Sequence, residues 1–229
     1  MADEKGVSIT RLIALPAVIT FLVTILRLVG ELKHWPAPWF STAAGGGGAV
    51  IGISWLPIIF GPYFALKLAN AGDGPQSAGK AIGFALGSLV VLFAGGFAFG
   101  ATINHPNAIT GLGLLLMLGS AFVPGIAWGS LGKALLGYAF AARIPVVIVM
   151  YFAITANGGA GWGTHYDVAP PAFAQMAPLR KFFNIGVLPQ MTLWIGWTVV
   201  VGSIVGTILT AIVHRKKQVA PSAAAQGEN

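Results

Sequence analysis

The chain has no cysteine among its 229 residues and little charge of either sign, with 13 Lys and Arg against 6 Asp and Glu. The first absence excludes disulfides, thiolate metal sites, iron–sulfur clusters and a cysteine nucleophile. Outside the two ends, the only acids are Glu31, Asp73 and Asp167. Also missing are a G-x-S-x-G elbow, a P-loop and an aspartate cluster of the kind that holds a diphosphate through magnesium. The GGGG at 45–48 lacks the strand and Lys of a phosphate cradle, and no His pair lies at matched depth for haem. The GISW at 52–55 is echoed by GIAW at 125–128, but the flanking residues do not follow, so no internal repeat is assigned. Neither a cofactor nor a soluble catalytic domain can be read from this composition.

Apolar residues fill the space. They make up 56% of the chain, charged residues only 8%, against about 25% in globular proteins. Mean hydropathy is +0.81. The expectation is an all-α integral membrane protein, a six-transmembrane-helix bundle spanning residues near 8–31, 47–70, 80–102, 108–130, 133–156 and 188–213. Residues 1–214 form one transmembrane domain, and 215–229 a basic anchor with a flexible polar tail. A retained first helix is expected rather than a signal peptide ending at STAA, because the apolar region is over-long and contains Arg27.

With six spans both termini share one side. That side collects Lys5, Arg11, Lys67, Lys80, Lys133, Arg215, Lys216 and Lys217, while the other holds Lys33, Arg180 and Lys181, so the termini are assigned to the cytoplasm. Trp35, Trp39, Trp162, Trp194 and Trp197 are expected at the outer interface. The net charge of +7 is spread over loop ends, forms no nucleic-acid face, and suits a bacterial inner membrane. In the last outer loop, Phe173, Met176, Leu179 and Phe183 recur at helical spacing opposite Gln175 and Arg180, predicting a short interfacial helix. Small-residue pairs at Gly83 and Gly87, Gly96 and Gly100, and Gly202 and Gly206 predict close helix contacts, within the chain or between protomers of a homo-oligomer or larger complex. With Gly95 added, the third span is expected at the crowded centre of the bundle.

Arg143 is the most informative residue. It lies ten residues beyond Lys133, roughly 15 Å deep at 1.5 Å per residue, close to the bilayer centre. A cation there costs about 3 kcal/mol or more, so it needs partners and marks a functional site. No acid is expected at that depth. The carbonyl of Ala141, freed by Pro145, and a layer of hydroxyls, Thr20, Thr24, Ser54, Ser88, Ser120 and Ser203, are the candidate neighbours, together with an anion from outside the chain. Arg143, Thr24, Ser54, Ser88, Ser120 and Ser203 are accordingly the candidate residues for binding or transporting a small anionic solute.

A second constellation is expected at the outer surface. His34, His105, His165, Glu31 and Asp167 are a His and carboxylate set of the type that ligates zinc, iron, copper or manganese, and would make a membrane enzyme acting on a lipid-like substrate. The simpler reading pairs Arg27 with Glu31 across one helical turn and makes NHPN a tight turn. A third possibility is a structural or accessory subunit of a larger membrane complex, in which Arg143 meets an acid of another chain.

Overall fold

The computed structural model describes residues 7–46 and 49–224. Among them the chain is all-helical. Helix α1 runs Ile9–Leu32, α2 Pro57–Asn70, α3 Ala78–Thr102, α4 Ala108–Ser120, α5 Val123–Ala127 and α6 Gly129–Thr155. After a loop with two short 3₁₀ turns come α7, Pro178–Lys181, a π turn over Phe182–Val187, α8, Leu188–Met191, and α9, Leu193–Ala224. Five helical stretches are long and apolar enough to cross a membrane: α1, α3, α4 with α5, α6 with its following turn, and the stretch from Pro178 to Arg215. The expected tail is helical in backbone as far as Ala224, and Lys5, Gly47, Gly48 and residues 225–229 lie outside the described residues.

The expected second span differs in kind. Its helix has 14 residues, about 21 Å, which falls short of a core of roughly 30 Å. The cause is local: Pro57 has no N–H and starts the helix, while glycines upstream give no helical drive. Residues 49–56 instead run as bends, and their backbone groups find partners elsewhere. Val50 N donates to the Pro38 carbonyl at 3.0 Å, Ile51 N to Trp39 at 3.1 Å, and the Trp197 indole N–H to the Ser54 carbonyl at 2.8 Å. Irregular backbone survives at membrane depth only when protein or a cavity covers it.

Contacts between elements set their directions. Ile13 meets Gly137 early in both helices and Glu31 at the end of α1 meets His165 beyond the end of α6, so α1 and α6 run parallel, whereas Leu135 meets Gly202 and Arg143 meets Trp194, so α9 runs against α6. α2 follows α9 in parallel, with Ser54 at Trp197 and Gly61 against Gly202 and Gly206. α3 and α4 form an antiparallel hairpin whose turn is NHPN: Asn107 caps α4 by accepting from Ile109 N at 2.8 Å, and Thr110 Oγ1 donates to Thr102 Oγ1 at 2.8 Å. The start of α1 and the end of α9 therefore share one end of the bundle, and the 156–177 loop closes the other.

Small residues make the closest approaches, since lipid provides no hydrophobic drive between helices. A Cβ on Gly61 would overlap the Gly202 backbone, and one on Gly95 would come within 2.7 Å of the Gly113 carbonyl. The expected pair Gly202 and Gly206 is thus a contact with α2. By contrast a Cβ on Gly83, Gly87, Gly96 or Gly100 would meet no other element within 4 Å. The last helical stretch, with 56% of its most apolar window buried, is the centre of the bundle, and α3, with 22%, is peripheral. Glycine count alone pointed to α3, but the lining of the core depends on which face the glycines occupy. Around α9 the core includes Phe60, Phe64 and Tyr138, whose rings meet edge to face at 5.4 and 5.5 Å, each pair worth about 0.5–1.5 kcal/mol beyond burial.

Candidate functional site

A cavity of about 320 Å³ opens among the ends of α1, α3 and α6, the irregular segment before α2, the 156–177 loop and the α8–α9 junction. Its position follows from the breaks in the helices. The π turn, Pro189 and the distorted Thr192 (φ −115°, ψ −77°) interrupt the regular helix on the approach to α9, and residues 49–56 leave no helical wall opposite.

Arg143 lies on its wall. The residue is only 3% exposed. Its guanidinium carbon sits 4.7 Å from the centre of the Trp194 ring, and Nη1 points at Gln190 Oε1 from 3.5 Å, the limit of a hydrogen bond. Nε is buried with no hydrogen-bond partner. Among the described residues no carboxylate forms an ion pair with it. Gln190 and Trp194 stand four residues apart on one face of the last helical stretch, so both reach Arg143 across the bundle. Neither was expected. Trp194 and Trp197 were placed at the outer interface, yet both are partly buried inside, held by Arg143 and by the Ser54 carbonyl; Trp35, Trp39 and Trp162 are exposed. A signal existed for Gln190, which is the only amide between residues 188 and 213.

Of the expected hydroxyls, Thr24 and Ser54 line the same cavity. Thr20 bonds the Tyr138 hydroxyl at 2.7 Å. Ser88 and Ser120 are buried and donate to their own helices, to the Ala85 and Met117 carbonyls at 2.6 Å each. The Ser203 hydroxyl is buried without a partner, away from the cavity lining. Helical phase sends Ser88, Ser120 and Ser203 to packing surfaces and Thr20 to the Tyr138 hydroxyl.

Glu31 ties the 156–177 loop to α1 behind two lining residues, Arg27 and His165. This carboxylate, 1% exposed, accepts from Arg27 Nε at 2.8 Å, from His165 N at 2.8 Å and from the His165 ring at 2.6 Å through Nδ1. Arg27 also donates from Nη2 to the Ser41 carbonyl at 3.1 Å. The expected Arg27–Glu31 pair is therefore present, and it also holds the 156–177 loop on α1. Beside it the Tyr166 hydroxyl donates to the Thr24 carbonyl at 3.3 Å. Burial holds the His165 imidazole below its ordinary range, against the Glu31 hydrogen bond that raises it, so the ring is neutral near pH 7. Burial likewise pushes the Tyr166 phenol up, and it stays protonated.

The expected metal set does not gather. Glu31 and His165 meet, but Asp167 turns back on its own loop, accepting from Gly163 N and Thr164 N at 2.9 Å each and from Thr164 Oγ1 at 2.5 Å. His34 is exposed just beyond α1, and His105 is exposed in the α3–α4 turn. Among the described residues no three His, Asp or Glu are grouped to hold a metal ion. The expected interfacial helix over 173–183 is split: Phe173 is buried in a 3₁₀ turn that lines the cavity, and helix begins at Pro178.

No family model, curated protein or solved structure matches the chain. Its class therefore rests on its own helices, which are long and apolar enough for a membrane protein, with a cavity that a buried arginine enters from the side.

Proposed function

We propose that the protein binds or transports a small anionic solute through the Arg143 cavity, as a bundle that crosses the bilayer six times with both termini in the cytoplasm of a bacterial cell. The irregular segment 49–56 and α2 together supply the sixth crossing. The observation that carries the reading is the buried guanidinium without a carboxylate partner on the wall of a cavity large enough for a small molecule. Bends opposite a kinked helix, with polar groups facing the space between them, are how many transporters build a site near the midplane.

The test is Arg143→Met in purified full-length protein, titrated calorimetrically with the sodium salts of chloride, phosphate, acetate and butyrate. Binding of at least one anion to the native protein, lost at least tenfold in the variant, is expected. Native and variant proteins that respond alike end the proposal.

One observation favours a second reading, a subunit of a homo-oligomer or larger membrane complex. The outward face of α3 is open along Gly83, Gly87, Gly96 and Gly100, and beside them Val90, Phe93 and Phe97 are 69%, 61% and 80% exposed. Native mass spectrometry in mild detergent separates the two, because this reading requires a stable multimer or a co-purifying chain.

A further inference from the structure

We infer that the ligand of the Arg143 cavity is an organic monocarboxylate with an apolar body, its carboxylate on Arg143 and its body toward the 156–177 loop. The inference rests on the proposed anion site and specifies what that site takes.

Charge comes first. Two arginines line the cavity, but Arg27 is already neutralised by Glu31 at 2.8 Å, and Arg143 alone among the described lining residues has no carboxylate against it. The neutral His165 ring adds none. One uncompensated positive charge in a poorly hydrated space matches one negative charge. A dicarboxylate or a phosphate dianion would leave a second charge buried without a partner, which is strongly unfavourable.

Donor count points the same way. Of the polar lining, the Gln190 amide nitrogen lies 3.8 Å from the Met150 sulfur, the Tyr166 and Thr24 hydroxyls donate to the Thr24 and Thr20 carbonyls, the Asn184 amide donates to the Arg180 carbonyl and the His165 ring is on Glu31, which leaves the Ser54 hydroxyl to supplement the guanidinium. A planar carboxylate is satisfied by the fork of one guanidinium. A tetrahedral oxyanion sheds more hydration and finds fewer donors than it loses. The remaining wall is mostly aliphatic and aromatic, with Ile53, Phe99, Val146, Val168, Phe173 and Leu193 around the space. Such a wall stabilises carbon, not water. A volume of about 320 Å³ is at the low end of small-molecule sites, roughly 300–1,000 Å³, which fits a short acid held whole.

Two sources provide this chemistry, a water-soluble acid and a bilayer fatty acid. The experiment uses full-length protein in nanodiscs, with empty nanodiscs as the blank for partitioning. Acetate, butyrate, hexanoate, hexanamide, succinate and phosphate are titrated, and oleate is added to the lipid in a separate arm.

Affinity is expected to rise about fourfold per methylene from acetate to hexanoate. Hexanoate should exceed succinate, phosphate and hexanamide by at least tenfold. Arg143→Met should remove the hexanoate response, and Arg143→Lys should restore part of it. Val168→Trp, on the loop side of the cavity and 37% exposed in the native chain, should weaken hexanoate more than acetate while leaving the fold intact. Arg143-dependent binding of oleate in place of the short acids supports the same class with the bilayer as its source.

Phosphate or succinate binding tightest, with dependence on Arg143, overturns the monocarboxylate but leaves the anion site standing. Equal affinity for acetate and hexanoate overturns the apolar body. No binding by any acid overturns the inference, and binding indifferent to Arg143 overturns the inference and the proposed function together.

Discussion

Replacing Glu31 by Ala removes the carboxylate on which α1 and the 156–177 loop converge. Three donors reach it, Arg27 Nε at 2.8 Å, His165 N at 2.8 Å and His165 Nδ1 at 2.6 Å, and the side chain is fully buried. Hydrogen bonds to a charged group contribute about 1.5–3 kcal/mol each net of the water they displace, and bonds that share one carboxylate do not add fully. Leaving one member of a buried ion pair alone costs about 3–5 kcal/mol, chiefly from the stranded charge. Arg27, 7% exposed, would be that charge. The expected loss for Glu31→Ala is therefore about 3–5 kcal/mol, and less for Glu31→Gln, which keeps an acceptor oxygen. Adding Arg27→Met to Glu31→Ala should recover a part of the loss, because no stranded cation remains. Thermal unfolding of nanodisc-embedded protein reads the stability, and limited proteolysis in the loop reads the latch. A Glu31→Ala loss below about 1 kcal/mol with the loop still protected would refute the latch. A double variant worse than the sum of the singles would refute the stranded-charge account.

The remaining expectations concern the site, the packing and pH. Arg143→Met should abolish anion binding, with Arg143→Lys intermediate, as calorimetry will show, and the ligand series should rank a hydrophobic monocarboxylate first. Gly61→Leu should cost about 1–3 kcal/mol or prevent folding, because its side chain meets the Gly202 backbone, while Gly87→Ala on the open face of α3 should lie between neutral and about 1 kcal/mol stabilising in the same melts. His165 has its folded pKa below the ordinary 6.5, so the unfolded chain takes up more protons and stability is complete above that value. It should fall as pH drops below about 6.5, and His165→Gln should flatten that part of the profile; a native profile level from pH 7 to 5 would contradict the buried neutral ring.

Much of this protein is legible one residue at a time. Hydropathy over windows of about 20 residues finds the five helical stretches that are long and apolar enough to cross a membrane, because burial in lipid requires every backbone group to be satisfied within its own segment. The same reasoning marks Arg143, whose burial needs no knowledge of its neighbours to be costly. The Arg27–Glu31 pair follows from a spacing of four. What escaped is what depends on helical phase and on breaks. Pro57 and the glycines before it turned about a third of an expected helix into bends, and a window average has no term for that. Ser88, Ser120 and Ser203 are buried but away from the cavity, since one residue of phase turns a side chain by about 100°. Asp167 was within reach of several partners in sequence and chose its own loop.

Sequence by itself determined that these helices are apolar enough for lipid, that an arginine lies in the middle of one of them, and that little in the chain could neutralise it. Tertiary structure alone decided that Gln190 and Trp194 face that arginine, that Glu31 and His165, 134 positions apart, lock the loop over it, and that a cavity lies between. The physical reason is that lipid solvation acts on each segment separately, whereas a site is a coincidence of side chains from different segments. That coincidence is set by the angles and offsets at which helices meet, and those arise from packing of small residues whose consequences lie beyond any one stretch of sequence.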